Sequence, residues 1–286
     1  MDFPGRRWSS NPTIWLKQES ALTPTVRNLV GPMMVSLMLL GMFAGCLGSI
    51  SNEETGEHVV VYATTNATIV EVWEDGERVE TQYPLLTFDF SESRASAPFV
   101  LHSVKGEHAF ATVDASASSV VEVEFDRHGF HLLELTSVHE GSTESSEQAS
   151  LYRSEVVIRI EKRIEWTESS TNEPEPMVLD TRREIGDEPA SVIVIESTVH
   201  NPPLINNIGG GQDVDVSWQL IDESQEACQS QPGTVEEGGS ATWKTVHFNT
   251  DEVHELRVNY EEGQDAIDVE QTILIQYEGL ETPPST

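Results

Sequence analysis

Cysteine is close to absent from this chain: Cys46 and Cys228 are the two in 286 residues. Cys46 ends an apolar segment, which leaves Cys228 without an internal partner. A disulfide framework is therefore excluded, and stability has to come from core burial. Lysine is nearly as scarce, with Lys17, Lys105, Lys162 and Lys244 the full set. Residues 1–45 hold four of the 16 basic residues and two of the 49 acidic ones, so the remainder carries a net charge of −35. That balance excludes a nucleic-acid partner, whose phosphates need Lys and Arg, and adhesion to anionic headgroups through a polybasic patch. Catalytic motifs are missing as well. There is no Gly-x-Ser-x-Gly elbow, and His139-Glu140 and His254-Glu255 lack the second His of a zinc-hydrolase helix. Gly209-Gly210-Gly211 is not followed by Lys-Ser/Thr, so it is no phosphate cradle. The expectation is a protein without catalysis and without a cofactor.

What is present begins with one apolar run, Leu29 to Leu47, broken only by Gly, Pro32, Ser36 and Cys46. A run of about 18–20 apolar residues is long enough to cross a hydrocarbon core as a helix. Arg6, Arg7, Lys17 and Arg27 precede it, and positive charge stays on the cytoplasmic side. Its end, Phe43-Ala44-Gly45-Cys46, resembles the lipobox of lipoprotein signal peptides, with Phe43 where that family usually carries an aliphatic residue. The resemblance implies lipidation at Cys46 and removal of residues 1–45. An uncleaved signal anchor is the alternative, and both place the rest of the chain on the extracytoplasmic face of the cell membrane. The expected partner is thus the membrane, through a lipid or an N-terminal helix. The acidic, Lys-poor composition resembles that of proteins from salt-adapted or marine archaea.

Residues 46–57 read as a polar tether spanning about 20 Å by the random-coil rule. From His58 the pattern is β. Two alternating runs flank Asp75-Gly76, a strong hairpin signal because both turn residues tolerate positive φ, and they place a hairpin at 68–83. Further strands are expected at 85–90, 99–104, 108–113, 119–125, 129–138 and 154–166. Residues 167–189, rich in Pro and Glu, read as an interdomain linker with an edge-strand stretch around Met177–Leu179. Strands then resume at 191–200, 213–222, 241–248, 253–260 and 267–277, and 279–286 reads as a disordered tail. The fold class is therefore all-β: two tandem immunoglobulin-like sandwiches, at 58–166 and 190–278, after an N-terminal signal or anchor.

The two halves share a spacing. Phe125, His131, Leu133 and Leu135 in one match Phe248, His254, Leu256 and Val258 in the other. This signature resembles the later strands of PKD-like and other immunoglobulin-like extracellular modules. Gly129 matches the family's glycine, His131 and His254 stand in place of its Tyr, and its Trp-Asp-x-Gly-Asp-Gly motif is absent. The repeat predicts both histidines at a core edge, each with a ring nitrogen bonded to backbone. Asp213 and Asp215 share one strand face and are the candidate Ca²⁺ ligands, against diffuse cation association with an acidic surface. Asn66-Ala67-Thr68 matches a glycosylation sequon. The functional expectation is a non-catalytic binding or spacer module at the cell surface, with a protein or glycan ligand. The alternative is a structural subunit of an envelope or secretion assembly held by an uncleaved helix.

Overall fold

In the computed structural model, residues 56–63, 67–140, 151–203, 211–263 and 266–285 are described. The apolar segment with Cys46, and Asn66, lie outside them. The described residues form sixteen β-strands and no helix. The first half holds β1 (Val61–Tyr62), β2 (Thr68–Glu74), β3 (Glu77–Gln82), β4 (Leu85–Asp89) and β5 (Phe99–Lys105). It continues with β6 (Phe110–Asp114), β7 (Val120–Glu124), β8 (Gly129–His139) and the long β9 (Leu151–Thr171). The second holds β10 (Met177–Asp180), β11 (Val192–His200), β12 (Val214–Ile221) and β13 (Ala227–Val235). It closes with β14 (Ser240–His247), β15 (Val253–Glu262) and β16 (Ile267–Gln276). The expected hairpin is in place: β2 pairs with β3 around Asp75 and Gly76, at φ +47° and +79°.

One nine-stranded sheet runs through the molecule in the order β14-β11-β16-β9-β8-β5-β6, with β2 and β3 branching from β9. Two smaller sheets, β1-β4-β7 and β10-β15-β12-β13, cover it in a sandwich-like arrangement. The first core packs Phe88, Val121 and Val123 of the three-stranded sheet on Leu133, Leu135, Ile158 and Ile160. The second packs Leu179, Trp218 and Leu256 of the four-stranded sheet on Ile164, Trp166, Ile195 and Ile273. Both cores use β9. Residues 151–160 of that strand pair with β8, and residues 162–171 pair with β16. The boundary expected at residue 167 thus falls inside a strand, because Thr167 and Glu168 bond to β16 although their side chains are polar.

One strand falls where none was expected, and two further expectations need correcting. The polar stretch 222–239 contains β13, an edge strand bonded only to β12, where Pro232 loses nothing by lacking an N–H. The tail is ordered up to residue 285. Thr282 N–H donates to Val157 O at 2.9 Å, and Tyr62 N–H to Ser285 O at 3.0 Å, so the tail caps strand edges otherwise left open. Thirdly, the shared spacing of the two halves carries no shared topology. β8 and β9 are paired neighbours, whereas β15 and β16 belong to different sheets. Leu133, Leu135, Leu256 and Val258 are all buried as alternation requires, yet Phe125 is 1% exposed and Phe248 75%. The ring that meets His254 edge-on is His247, at 4.8 Å, much as Phe125 meets His131 at 4.9 Å. The local match is out of step by one residue, and a one-residue step turns a strand side chain to the other face. His131 Nε2 does bond to backbone, at Arg127 O, 2.8 Å away, but the neighbours of His254 are side chains.

Candidate functional site

Side chains of β9 alternate between the two faces of the nine-stranded sheet. Ile158 and Ile160 enter the first core, and Ile164 and Trp166 enter the second. Lys162 has the same phase and sits between them. Its side chain is 13% exposed, and its Nζ lies 3.1 Å from Glu71 Oε1 and 3.9 Å from Glu184 Oε1. Glu71 comes from β2, which lies parallel to β9 with Glu71 opposite Ile164. Its carboxylate also accepts from Arg78 Nη1 at 3.4 Å and from the Trp73 indole N–H at 3.3 Å.

Trp73 stacks on Trp166 with centroids 5.6 Å apart and planes 22° from parallel, and the Arg78 guanidinium lies 5.9 Å from the Trp73 ring. Such aromatic and cation–π contacts are each worth about 0.5–1.5 kcal/mol beyond burial. Glu168 fixes the other indole by accepting the Trp166 N–H at 3.1 Å, and it also accepts the Glu175 N–H. Burial pushes the Glu168 carboxyl up, and those two donors hold it down in part. Asp180 is kept below the usual carboxylate range by Arg182, whose Nε and Nη2 reach its two oxygens at 2.8 and 2.6 Å.

Glu71, Trp73, Arg78, Lys162 and Trp166 line a cleft of about 390 Å³ together with Glu175 and Asp180. No Ser, Thr, Cys or His is among the described residues lining it. Its chemistry is a set of mutually paired charges beside an indole pair. Odd-numbered residues of β9, Arg159, Glu161 and Arg163, line a second cleft of about 360 Å³ on the opposite face.

Behind Lys162 lies a buried histidine. The His128 ring faces Tyr277 Oη at 2.6 Å through Nδ1 and Glu184 at 3.7 Å through Nε2. The Tyr277 hydroxyl and Nδ1 share one proton in this contact, and the Nε2 edge of the ring faces the carboxylate. Burial, reinforced by the Lys162 charge, lowers His128 to about 4, and burial raises the Tyr277 phenol well above its ordinary value. Both groups are therefore neutral over the physiological range.

Of the residues singled out in the sequence, Asp213 and Asp215 are exposed, and Asp215 accepts from Thr234 Oγ1 at 2.7 Å. Two other acidic residues, Asp251 and Asp268, are taken up elsewhere: Asp251 pairs with Arg183 at 2.8 Å, and Asp268 accepts the Ser170 N–H. Among the described residues the one group with three converging metal-ligand side chains is His247, Glu252 and His254. Cys228 is exposed as a residue, but its thiol turns inward to donate to Leu220 O, and partial burial there raises its pKa. The cleft residues were missed in the sequence because their partners are remote along the chain. The one local signal was Lys162, in phase with Ile158, Ile160, Ile164 and Trp166.

No family model matches the chain, and no curated protein matches it. Several solved structures are distantly similar, among them the following three. A structure of carbohydrate-binding modules from the β-sandwich superfamily aligns at TM-score 0.26 and 8% identity, over 79% of this chain and 94% of that one. Tripeptidyl peptidase 2 aligns at TM-score 0.26 and 10% identity, over 78% of this chain and 20% of its own. A Bacteroides uniformis β-glucuronidase 2 aligns at 0.24 and 9%, over 78% and 30%.

Proposed function

We propose that this chain is a membrane-tethered, extracytoplasmic binding module that takes a hydroxyl-rich ligand, a glycan, in the cleft beside Lys162 and performs no catalysis. The observation that carries this reading is the Lys162–Glu71 pair next to the Trp73–Trp166 stack, opening on about 390 Å³. A sugar ring has hydroxyls that donate and accept, and C–H faces that pack on aromatic rings. Carboxylates at 71, 175 and 180 supply acceptors, Lys162 and Arg78 supply donors, and the indoles supply the apolar surface. Glu71 is paired with Lys162 and Asp180 with Arg182, which supports a binding role for these carboxylates over the free acid-and-nucleophile pair that glycoside cleavage uses. The tether belongs to the same proposal, through the apolar run and Cys46.

Two experiments test it. The purified full chain in detergent is screened on a glycan array, and hits are measured by calorimetry. Binding should weaken at least about tenfold in Trp73→Ala and Glu71→Gln, since losing about 1.4 kcal/mol is a factor of ten. The sugar should be recovered intact. Absence of any glycan hit, affinity indifferent to both substitutions, or a cleaved sugar would overturn the reading. Intact mass of the membrane-extracted protein tests the anchor separately: a lipid-modified chain starting at Cys46 is expected, and a mass that retains residues 1–45 refutes it.

A further inference from the structure

His247 is the last residue of β14, in the nine-stranded sheet, and His254 is the second residue of β15, in the four-stranded sheet. The loop 248–252 carries the chain from one sheet to the other, and Glu252 stands at its end. Candidate ligand atoms of the three residues lie within 4.8 Å of one another. The side chain of His254 is fully buried, and Glu252 Oε1 lies 3.0 Å from its Nε2. No hydrogen bond satisfies the Nε2 of either histidine. Thr181 Oγ1 donates its hydrogen to Glu252 O at 2.8 Å and sits 3.4 Å from His254 Nδ1. With that hydrogen spent, the hydroxyl can accept from Nδ1–H, and in that tautomer the Nε2 of His254 presents a lone pair to Glu252 Oε1. A lone pair and a carboxylate oxygen 3.0 Å apart are within reach of one shared cation. Two acceptors that close repel unless a proton or a cation joins them.

We infer that His247, Glu252 and His254 form a transition-metal site, with Zn²⁺ as the fitting ion, which ties the end of β14 to the start of β15. Two imidazoles and a carboxylate are a borderline donor set. They suit Zn²⁺, whereas Ca²⁺ takes oxygen ligands only. Ligand atoms of a tetrahedral zinc with bonds of about 2.0–2.1 Å are about 3.3 Å apart. The His254–Glu252 edge, at 3.0 Å, is near that spacing, and the His247 ligand atom lies within 4.8 Å of both. A water completes the tetrahedron. Thr181 is a positioning residue, holding the His254 ring in the metal-binding tautomer as outer-shell partners do. Asp222 and Glu223 lie close enough to add negative potential, and Glu223 accepts the Val253 N–H at 3.0 Å. This site is independent of the cleft beside Lys162.

The test uses the full chain in detergent, stripped with chelator. Zn²⁺ is titrated calorimetrically, and Co²⁺ is substituted to read coordination from its visible absorption. One Zn²⁺ per chain is expected, with the intense Co²⁺ bands of a tetrahedral site and a rise in melting temperature on loading. His247→Gln and Glu252→Gln, both at partly exposed positions, should abolish the bands and weaken Zn²⁺ by at least about 100-fold, and Thr181→Val by about 10-fold. His200→Gln removes a half-exposed ring 3.7 Å from Glu270, outside the cluster, and should change nothing. Far-UV circular dichroism checks that each variant is folded. Uptake that survives both His247→Gln and Glu252→Gln, or no stoichiometric uptake by the parent chain, overturns the inference.

Discussion

Replacing Lys162 by Met removes a charge at the point where β9 passes from one core to the other. The Nζ–Oε1 separation of 3.1 Å corresponds to about 5 kcal/mol of attraction at an effective dielectric of about 20. Both side chains are largely out of water, at 13% and 11% exposed, so desolvation offsets a large part of that attraction. The net worth of the pair is therefore small. The cost of breaking it is not, because Glu71 stays behind as a buried charge. Full burial with no other partner would cost about 3–5 kcal/mol. Here Arg78, at 3.4 Å with half its side chain in solvent, and the Trp73 indole N–H compensate in part. The expected loss is about 2–3 kcal/mol. Glu71→Gln in the Lys162→Met background should restore at least half of it, giving a coupling of about 1–2 kcal/mol, within the range for contacting residues. Urea unfolding of the full chain, followed by tryptophan emission and circular dichroism, reads this as a shift of midpoint at unchanged slope. A single-variant loss below about 0.5 kcal/mol, or a double variant as unstable as the sum of the singles, refutes the reasoning.

Leu133→Ala and Leu256→Ala should each cost about 2–5 kcal/mol, the range for truncating buried leucines, and because β9 serves both cores each should lower one common transition. Two separate transitions by calorimetry would show the cores to be independent. Gly129, at φ +127°, would bring an added Cβ within 2.4 Å of Ile185 O, so Gly129→Ala should cost more than about 1 kcal/mol in the same unfolding assay. Burial holds His128 at about 4 against an ordinary 6.5, so on acidification the unfolded chain takes up this proton first. Its contribution is complete above about pH 6.5 and is lost down to about pH 4, roughly 3 kcal/mol in all. Glu161 and Glu168, raised by burial, pull the other way. The measurement is therefore the difference between parent and His128→Gln stability from pH 7 to 4.5, and parallel profiles would refute it.

The strands most legible in the sequence were those whose two faces differ. Alternation placed β2, β8, β11, β12 and β15, and the Asp-Gly pair placed the first hairpin, because both signals are local. Alternation reports which face a residue takes and is silent about the neighbouring strand. For that reason the spacing around His131 and His254 correctly buried four aliphatics and still suggested a common topology that β15 and β16 do not have. Edge segments were the other blind spot. β13 has one bonded neighbour and an almost wholly exposed set of side chains, so nothing in Ala-Cys-Gln-Ser-Gln-Pro-Gly-Thr-Val had to be apolar. The end of β9 is strand for its backbone and solvent-facing for much of its surface, and its polarity mimicked a linker.

The cleft left one trace, the lysine in Ile158-x-Ile-x-Lys-x-Ile-x-Trp166. A cation at a core phase demands a partner, because an isolated buried ammonium would lose its charge or unfold the site. The partners, Glu71 and Glu184, with His128 and Tyr277 behind them, are brought together only by the finished sheet; the His128–Tyr277 contact spans 149 positions of sequence. No local pattern in a single chain encodes such a meeting. Its position has a physical reason. The nine-stranded sheet is continuous through β9, but the apolar residues that cover it belong to two separate sheets, and Lys162 falls between the last residue of one core and the first of the other. Completing the apolar stripe there would favour fusing the two cores into one. A paired charge holds that seam polar at little net gain in stability, and polar seams between packed units are where clefts for ligands open. A Lys162→Met/Glu71→Leu chain should on this argument be at least as stable as the parent, as apolar replacements of buried ion pairs often are, and should lose ligand binding at the cleft. If it instead binds the glycan proposed for the cleft as tightly as the parent, the seam is a feature of folding alone.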